Sequence, residues 1–513
     1  MNRRDFLQLA GAAGLALGAA NSIFTTQARA TPTKGGKFRA ALGQGGTTDT
    51  MDPATWGTNY FTTELGSITG NSLIEVDAQN NAVPGLAEAF ESSDGAKSWI
   101  FKLKKGVTFH NGKTMTPDDV LTTLNYHLDE KSKSSAKPIL ANIAEMKADG
   151  DNAVRFTLKG GNSDFPYDLS NYRLAIFPSK DGKMDWSKGG TGPFITKSFD
   201  PGVMYSAKRN LNYHGEAPYF DELELRPIID ATARTNALLG GEADYIDRCD
   251  LKTIDGLKQN ADIEIDNAIG FSHLVATMNT TIAPFDNPNI RLAIKHAFKR
   301  DELVEKILQG YGTIGNDNPI APTIKFATNP EPKHSYDPEK AKAYLKKAGL
   351  GSLKIDLSTS EGAFSGAVDA AQLMKESAAA CGIEINVILE PADSYWDNVW
   401  LKKPFLMSYW GGRANIDGMA TLAYSADAAW NDTFWKSPRF NELVVQARSE
   451  ADEAKRAAMY AEMQQLLHDD GGQVVLAFNN YVTAHSTKVG HGELNSNFDH
   501  DGTYMWRRWW FKA

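Results

Sequence analysis

Strands are predicted where hydrophobic and polar residues alternate along short stretches of the chain. Residues 99–103 (Trp-Ile-Phe-Lys-Leu) and Ile383–Leu389 show this period of two, which is typical of strands with one buried face. Phe405–Trp410 is a short apolar run, rich in aromatic residues, that also has the length of a strand. The remaining predicted strands are Lys37–Leu42, 354–358 and 473–478.

Three helices are predicted where a proline follows a capping side chain. In each such pair, the side-chain oxygen of the capping residue can accept hydrogen bonds from the first free N–H groups of the helix, and the proline fits the first helical turn. After Asp337-Pro338, apolar residues return every three or four positions until Gly349, which predicts a helix with one core-facing side. The pairs are Thr116-Pro117, Asp337-Pro338 and Ser437-Pro438.

Strands and helices alternate in the second half of the chain. Strand 354–358, a helix over 367–380 and strand Ile383–Leu389 form the pattern of a βαβ unit. Two further strands, Phe405–Trp410 and 473–478, follow in the same region. The pattern therefore predicts an α/β fold class, with one α/β lobe over about residues 279–484.

The loop that leaves the strand Phe405–Trp410 is the main candidate for a binding site. Gly411-Gly412 allows a close approach of the backbone, and Arg413 follows at once. Ligands of α/β domains bind at the carboxyl ends of strands, so aromatic walls with a fixed cation predict a pocket. The alternative interpretation is an ordinary turn with core aromatic residues. The candidate contacts on this segment are Tyr409, Trp410, Gly411, Gly412, Arg413, Asp417, Trp430, Asn431 and Trp435.

The first thirty residues are predicted to be an export signal. Arg3-Arg4 precedes an Ala/Gly/Leu-rich run, and Ala28-Arg29-Ala30 has the small-x-small pattern of a cleavage site. The segment resembles a bacterial twin-arginine signal, which implies the Tat export machinery as a partner and cleavage after Ala30. We therefore expect a periplasmic protein, since the apolar run is too short to span a bilayer.

Composition indicates a large globular protein without nucleic acid as a partner. The chain is 42% hydrophobic and 23% charged, and its net charge is −9. About 480 residues remain after the predicted cleavage, which exceeds one core and predicts two or three lobes. Cys249 and Cys381 lie far apart in sequence, and we expect two separate buried thiols rather than a disulfide.

The sequence lacks the motifs of common enzymes. It contains no G-x-S-x-G, H-E-x-x-H or P-loop motif, and its ten histidines show no helical spacing for a metal. Residues 310–315 match G-x-G-x-x-G, but they follow a predicted helix rather than a strand. We therefore predict no catalytic residue, no cofactor and no metal. The alternative is a hydrolase with a different motif that uses Ser365 and Asp417.

A longer motif carries a family resemblance. It begins at Trp99 and reads W-x-F-x-L-K-x-G-V-x-F-H-x-G-x-x-x-T-x-x-D-V. This motif resembles a signature of the family 5 extracellular solute-binding proteins. These are the peptide, nickel and opine receptors of ABC importers. Further blocks fit in the same order along the mature chain: 84–88, 192–194, 209–213, 241–244, 289–294 and 336–341.

The resemblance implies a two-lobed periplasmic-binding-protein fold (type II, cluster C-like) with an insertion. Lobe I is expected from residues 31–70, 187–278 and 485–513, and lobe II from 279–484. An insertion subdomain over 71–186 packs on lobe I. The chain crosses between the lobes near Asn279 and Ala484, and the hinge closes around the ligand. We expect a monomer that delivers a small solute to an inner-membrane ABC permease.

The identity of the ligand stays open because the sequence departs from the family pattern at two positions. Where dipeptide receptors have an aspartate for the peptide's amino group, this sequence has Arg413, and the loop expected to hold a carboxylate-binding arginine has Glu361. Peptides or peptide-like carboxylates are the leading class, with an opine-like metabolite or an oligosaccharide as alternatives. A nickel chelate or haem is less favoured. Asn279 and Asn479 complete the expected ligand contacts.

Overall fold

The structure is a computed structural model that describes residues 31–56, 60–392, 394–428 and 430–513. The export signal predicted for residues 1–30 lies outside the described residues.

A mixed sheet of eleven strands passes through both lobes. Its outer strands in lobe I pair mostly antiparallel, whereas Leu353–Thr359 and Ile383–Leu389 in lobe II pair in parallel, as the βαβ pattern predicts. In spatial order the strands are Phe194–Asp200, Met204–Arg209, Glu222–Pro227, Lys37–Leu42, Tyr245–Ile246, Gln473–Ser486, Ile263–Met278, Phe405–Trp410, Leu353–Thr359 and Ile383–Leu389, and Gly312–Ile314 pairs with Gln473–Ser486.

Two long antiparallel strands, Ile263–Met278 and Gln473–Ser486, connect the lobes, and we call them the crossing strands. Their pairing starts at Ile263 and Ser486 in lobe I and ends at Thr277 and Gln473 in lobe II. The register shifts between Ile269 and His273, which marks an irregular segment between the two halves. The expected boundaries at Asn279 and Ala484 therefore lie at opposite ends of the strand pair, and the domain limits stay a prediction.

The insertion subdomain has its own sheet and core. The helix Pro117–Leu128 packs on this sheet and begins at Thr116, where a capping box with Asp119 confirms the predicted start. Leu103, Val120 and Phe156 are among the side chains of its buried core. The strands in spatial order are Ala87–Ser93, Ser98–Leu103, Ala153–Leu158 and Ile143–Ala148, and a separate pair is Ile74–Val76 with Ala82–Pro84.

Lobe II contains the other two capped helices. Asp337 accepts a hydrogen bond from Lys340 N (3.0 Å) and Ser437 from Phe440 N (3.2 Å), and both helices begin where the prolines predict. The helix of the βαβ unit is Ala367–Ala379. The other helices of this lobe are Pro288–Lys295, Arg300–Lys306, Pro338–Lys347, Tyr395–Asn398, Ile416–Met419, Pro438–Ser449 and Glu453–Asp470, with a π-helical turn at Ala420–Tyr424.

Lobe I combines the early chain with its C-terminal residues. Trp506 packs edge-on against Phe38 (centroids 6.2 Å apart), and Trp509 is equally buried. A small sheet joins Pro32–Thr33 and Val489–Gly490 through Trp510–Lys512. The helices outside lobe II, besides Pro117–Leu128, are Tyr60–Thr69, Phe165–Asp168, Ala231–Leu239, Ile254–Lys258 and Met505–Arg508, with a short left-handed segment at Asp499–Gly502 and 3-10 turns at Pro53–Thr55, Tyr172–Leu174 and Trp186–Lys188.

A buried ionic triad stabilises lobe I. His500 Nδ1 lies 2.9 Å from Glu64 Oε1, and His500 Nε2 lies 3.4 Å from Asp247 Oδ2. Trp506 Nε1 donates to the other oxygen of Glu64 (2.6 Å). Burial opposes a charged imidazole, but Glu64 and Asp247 more than offset it and raise the pKa of His500 to about 10. The imidazolium is therefore the form that lobe I holds at neutral pH.

The two cysteines agree with their prediction. Cys249 and Cys381 are free and buried, and they belong to different hydrophobic clusters. His110, the histidine of the long motif, lies with its Nε2 3.0 Å from the carbonyl oxygen of Gly192. None of the helices in the described parts of the chain combines the length and apolar character that crossing a membrane requires.

Candidate functional site

The loop after the strand Phe405–Trp410 is held tightly against a crossing strand at Gly412. A Cβ atom added there would lie 1.8 Å from Phe271 Cβ, so only glycine fits. Gly411 is exposed and has no such contact. The close approach therefore depends on Gly412, and it fixes the position of the next residue, Arg413.

Arg413 lies near the crossing strands with its charge poorly compensated. Its Nη1 donates to the carbonyl oxygens of Gly411 (2.9 Å) and Gly412 (2.8 Å), both on its own loop. Among the described residues, no carboxylate forms an ion pair with it. Burial lowers the pKa of Arg413, and the nearby Arg173 guanidinium lowers it further. The site therefore has the electrostatics of a pocket for an anionic group.

Arg173 reaches this region from the opposite side, in the 3-10 turn Tyr172–Leu174. Its Nε donates to the carbonyl oxygen of Trp56 (2.6 Å), and its guanidinium lies 4.4 Å above the ring of Tyr172. Tyr172 is also an electrostatic neighbour of Arg413. Two cationic side chains, one from each side of the cleft, are therefore close enough for the charge of Arg173 to act on Arg413.

His273 adds a neutral polar group beside the two arginines. It lies at the irregular segment of the crossing strand and is fully buried. Burial, together with Arg413, lowers the pKa of His273 to about 4, so the ring is neutral at pH 7. Its Nε2 is buried without a hydrogen-bond partner in the described structure, and so is Asn479 Oδ1 on the other crossing strand. Two buried polar atoms near Arg413 are thus left unsatisfied.

The two sides of the cleft touch directly. Ser163 N donates to the carbonyl oxygen of Arg448 (2.6 Å), and Tyr460 Oη donates to Asp164 Oδ2 (2.8 Å). Farther along, Asn80 Nδ2 donates to the carbonyl oxygen of Thr323 (2.8 Å). These bonds join the insertion subdomain to lobe II, so the structure has a closed arrangement.

Asp417 pairs with Arg448 rather than with Arg413. Arg448 Nε donates to both carboxylate oxygens of Asp417, at 3.0 and 3.1 Å. Burial raises the pKa of Asp417, and burial together with Asp417 and Asp164 holds the pKa of Asp168 well above its usual range. Asp417 is therefore not the counter-charge of Arg413, and it forms an acidic group with Asp164 and Asp168 at the contact between the lobes.

The tryptophans divide into a buried group and an exposed group. Trp410 is buried, and its Nε1 and that of Trp400 both donate to Asp432 Oδ2 at 3.2 Å. Burial raises the pKa of Asp432 to about 6. In contrast, Tyr409 is 45% exposed and Trp430 is 47% exposed, so their rings are the ones accessible to a solute.

Four other predicted contacts use their polar groups within the protein. Trp435 Nε1 donates to Asp470 Oδ2 (2.8 Å), and Asn431 Nδ2 donates to the carbonyl oxygen of Trp435 (2.8 Å). Asn279 Oδ1 accepts from Thr281 N (3.0 Å). Glu361 accepts from Gly366 N (2.9 Å) at the start of the helix Ala367–Ala379. A ligand role for these four residues, as for the rest of the predicted site, stays a prediction.

The sequence did not indicate Arg173, Tyr172 or His273. Arg173 lies 240 positions before Arg413, and no local motif surrounds it. His273 belongs to a strand whose pattern predicts only burial. The three side chains reach Arg413 through the tertiary arrangement of the lobes, which no local pattern contains.

Comparisons with known proteins give a consistent result. The family model for bacterial extracellular solute-binding proteins, family 5, matches residues 81–454. The chain is 27% identical over 451 residues to the dipeptide-binding protein of Escherichia coli K12, covering 79% of this chain and 83% of that one. It is 26% identical over 475 residues to heme-binding protein A of Haemophilus influenzae, covering 85% and 86%.

A solved structure agrees with these relatives. The periplasmic binding protein DppA of Helicobacter pylori, in complex with the peptide STSA, superposes with a TM-score of 0.74 at 25% identity. The match covers 94% of this chain and 99% of that chain.

Proposed function

Since the chain belongs to family 5 of the bacterial extracellular solute-binding proteins, we propose that it captures a peptide or another carboxylate-bearing solute between its lobes. It then delivers the solute to an ABC permease in the inner membrane. The dipeptide-binding relative and the peptide-bound structure from Helicobacter pylori support this ligand class. As a receptor it releases the solute chemically unchanged.

One observation carries the choice of ligand class: the cation of Arg413 lies inside the closed contact without a carboxylate partner among the described residues. A guanidinium presents a planar fork that matches a carboxylate with two parallel hydrogen bonds. Arg173 on the facing side adds a second positive charge. The ligand's anionic group therefore binds between these two side chains.

The other end of the ligand lies toward the acidic and aromatic residues. A peptide's amino group would bind near Asp417 and Asp168, where burial keeps both pKa values raised and an added cation would favour ionisation. Tyr409 and Trp430 supply exposed rings for apolar side chains of the ligand. This arrangement assigns opposite charges to opposite ends of a zwitterionic solute.

The test is a thermal-shift screen followed by titration. Purified protein is heated with peptides of two to five residues, opines, oligosaccharides, nickel–histidine and haem, because a ligand at about 100 times its Kd adds roughly 2.7 kcal/mol of stability. The best peptide is then compared with its C-terminal amide by calorimetry. We expect the amide to bind at least about 30-fold more weakly, and equal binding of the two would refute the role of the carboxylate.

A second candidate, an opine-like solute with two carboxylates, is favoured by the proximity of the two arginines. Such a solute places one carboxylate at Arg413 and the other at Arg173. The same screen decides between the candidates, because a dicarboxylate would bind more tightly than any neutral-side-chain peptide and would displace it in competition.

Export and closure complete the proposal. The twin-arginine signal directs the folded chain to the periplasm, and Arg3→Lys with Arg4→Lys is expected to leave the precursor in the cytoplasm. Normal periplasmic yield of that double variant would refute this route.

The protein acts as a monomer whose lobes close on the ligand, so its radius of gyration by X-ray scattering falls on ligand addition. An unchanged scattering profile with saturating ligand would contradict hinge closure.

A further inference from the structure

Three potential metal ligands converge in lobe I, away from the cleft. Asp266 lies on one crossing strand, His485 on the other, and His491 just after the strand Val489–Gly490. Asp266 Oδ1 lies 3.1 Å from His491 Nε2, and Asp266 Oδ2 lies 3.3 Å from His485 Nε2. One donor atom from each residue lies within 4.8 Å of the other two. The sequence, in which these residues are widely spaced, predicted no metal.

The hydrogen positions on the two imidazoles are determined by their neighbours. His485 Nδ1 lies 2.9 Å from the carbonyl oxygen of Ser486, and His491 Nδ1 lies 2.7 Å from that of Gly492. A carbonyl oxygen only accepts, so each Nδ1 carries the hydrogen. In the neutral rings both Nε2 atoms then present lone pairs to the Asp266 carboxylate, which also only accepts. Three lone pairs then converge, and a proton or a metal ion has to lie between them.

Two of the facing atoms, His485 Nε2 and Asp266 Oδ2, are buried without a hydrogen-bond partner among the described residues. The His485 side chain is fully buried. An unsatisfied buried polar atom costs about 1–3 kcal/mol. Such atoms, aimed at one another, need a shared positive partner to be stable.

The rings are also held in place for coordination. Trp509 stacks on His491 (centroids 4.5 Å apart, 25° between planes) and contacts His485 edge-on (5.4 Å, 71°). A backbone carbonyl that accepts from the other ring nitrogen is the usual support of a metal-bound histidine, because it fixes the tautomer and the orientation. Both histidines have this support.

We propose that Asp266, His485 and His491 form a binding site for a divalent ion of the zinc class. Two imidazoles and one carboxylate suit Zn²⁺ better than Mg²⁺ or Ca²⁺. Zinc–ligand bonds of about 2.0–2.2 Å place tetrahedral ligands roughly 3.3–3.5 Å apart. The two histidine–aspartate separations, 3.1 and 3.3 Å, are close to this value but end on different carboxylate oxygens, so the site contracts slightly around an ion. A water molecule completes the coordination, or Glu264 does, whose Oε2 lies 3.8 Å from His485 Nε2 and whose carboxylate also pairs with Lys512.

The site joins the lobe I ends of the crossing strands to the segment that carries His491. Position 266 pairs with Thr483, and Ile265 pairs with Ala484, well beyond the irregular segment beside Arg413. A bound ion would therefore stabilise lobe I without contacting a solute in the cleft. This inference is independent of the proposed ligand, and either one can fail alone.

The test uses untagged protein, stripped with a chelator, at pH 7.5. Zinc is titrated in competition with a chromophoric chelator, and Co²⁺ is added in parallel to record the visible spectrum of a tetrahedral site. We expect one equivalent of tight binding, with zinc displacing cobalt and abolishing the spectrum. Asp266→Asn and His491→Gln should each weaken zinc binding at least about 100-fold, whereas His110→Gln, in the insertion subdomain, should leave it unchanged.

The opposite results would overturn the proposal. A stripped wild-type protein that binds no stoichiometric zinc and gives no tetrahedral cobalt spectrum has no site, whatever the variants do. Unchanged zinc affinity in folded Asp266→Asn, checked by circular dichroism, would place the ion elsewhere, for example at His334, His468 and Asp469. Nitrogen NMR signals of two doubly protonated rings at pH 7.5, persisting with added zinc, would identify an imidazolium–carboxylate cluster instead.

Discussion

Two arginines of lobe II, Arg300 and Arg413, differ in how their charge is compensated. Arg300 donates to both oxygens of Asp317 (2.8 and 3.0 Å) and to three backbone carbonyl oxygens, at Val475, Lys295 and His334. Each of its three nitrogens therefore donates to at least one oxygen. Within the described part of the chain, the hydrogen bonds of Arg413 go to the carbonyl oxygens of its own loop. Arg300 therefore has its counter-charge inside the protein, whereas Arg413 has no carboxylate partner among the described residues.

The difference separates structural cations from binding cations better than burial does. Arg300 is 4% exposed, and Arg413 is also sufficiently enclosed for burial to lower its pKa. What distinguishes them is the counter-charge, which a buried ion requires for stability. Substitutions at the two positions should therefore affect different measurements, one the free energy of unfolding and the other the affinity for solute.

The largest effect is expected from Arg300→Met. Loss of the guanidinium leaves the buried Asp317 carboxylate with only His334 Nδ1 (2.7 Å) and Val475 N (2.9 Å). Breaking a buried ion pair typically costs about 3–5 kcal/mol. Urea unfolding followed by tryptophan fluorescence measures this loss. The control is Arg439→Met, whose pair with Glu462 is exposed to solvent and should contribute little to stability. Equal losses in the two variants would contradict the distinction.

Arg413→Ala should affect affinity and leave stability nearly unchanged. Truncating one member of a buried, hydrogen-bonded charge pair costs on the order of 2–5 kcal/mol of binding, or at least about 30-fold in Kd. The melting temperature of the empty protein should change little, because the substitution removes two hydrogen bonds to the residue's own loop but no internal ion pair. Arg413→Lys should recover only part of the affinity, since an ammonium lacks the fork. Calorimetry with the solute found by screening measures both variants, and wild-type affinity in the alanine variant would make Arg413 structural.

The pH dependence of the free energy of unfolding extends the comparison to another compensated cation, His500 in lobe I. The folded pKa of His500, about 10, is above its unfolded value, so its contribution is complete below about pH 6.5. It is lost as pH rises toward 10, at about 1.4 kcal/mol per pH unit. Urea unfolding at pH 7, 8 and 9 measures this slope. In His500→Asn, which suits the positive φ of this residue, the slope should be flatter; an identical slope would refute the assignment.

The smallest effect is expected from Glu361→Ala. Its carboxylate accepts from Gly366 N (2.9 Å) and Val368 N (3.4 Å) at the start of the helix Ala367–Ala379. Loss of this cap should destabilise the protein by about 0.5–1 kcal/mol. Thermal unfolding measures the stability change, and calorimetry of the same variant tests the predicted ligand contact. Unchanged stability together with weakened binding would make Glu361 a ligand residue and not a cap.

Local signals predicted much of the fold. Alternation gave the strands Ser98–Leu103 and Ile383–Leu389, and a capping side chain followed by proline gave the start of the helix Pro117–Leu128. The strand predicted over 473–478 continues to Ser486 in the structure. Its second half reads Asn-Asn-Tyr-Val-Thr-Ala-His-Ser. The two asparagines end the apolar run from which the strand was predicted, so the pattern did not indicate that the strand continues into lobe I.

The site was predictable only on one side. Gly411-Gly412 before Arg413 marks a close backbone approach, and the structure places Gly412 against Phe271. The facing residues Arg173 and Tyr172 lie in another part of the chain and carry no local signal. The same holds for Asp266, His485 and His491, whose convergence depends on the register of the crossing strands. Sequence patterns record neighbours along an element, whereas sites assemble between elements.

The small sheet of Pro32–Thr33, Val489–Gly490 and Trp510–Lys512 has a consequence for the order of assembly on the ribosome. All strands of lobe II and the insertion subdomain end at or before residue 486, so these parts can fold while translation continues. Lobe I needs Trp506 beside Phe38 and residue 512 beside residue 32. Its core can therefore close only after residues 506–512 have left the exit tunnel, later than the cores of lobe II and the insertion subdomain.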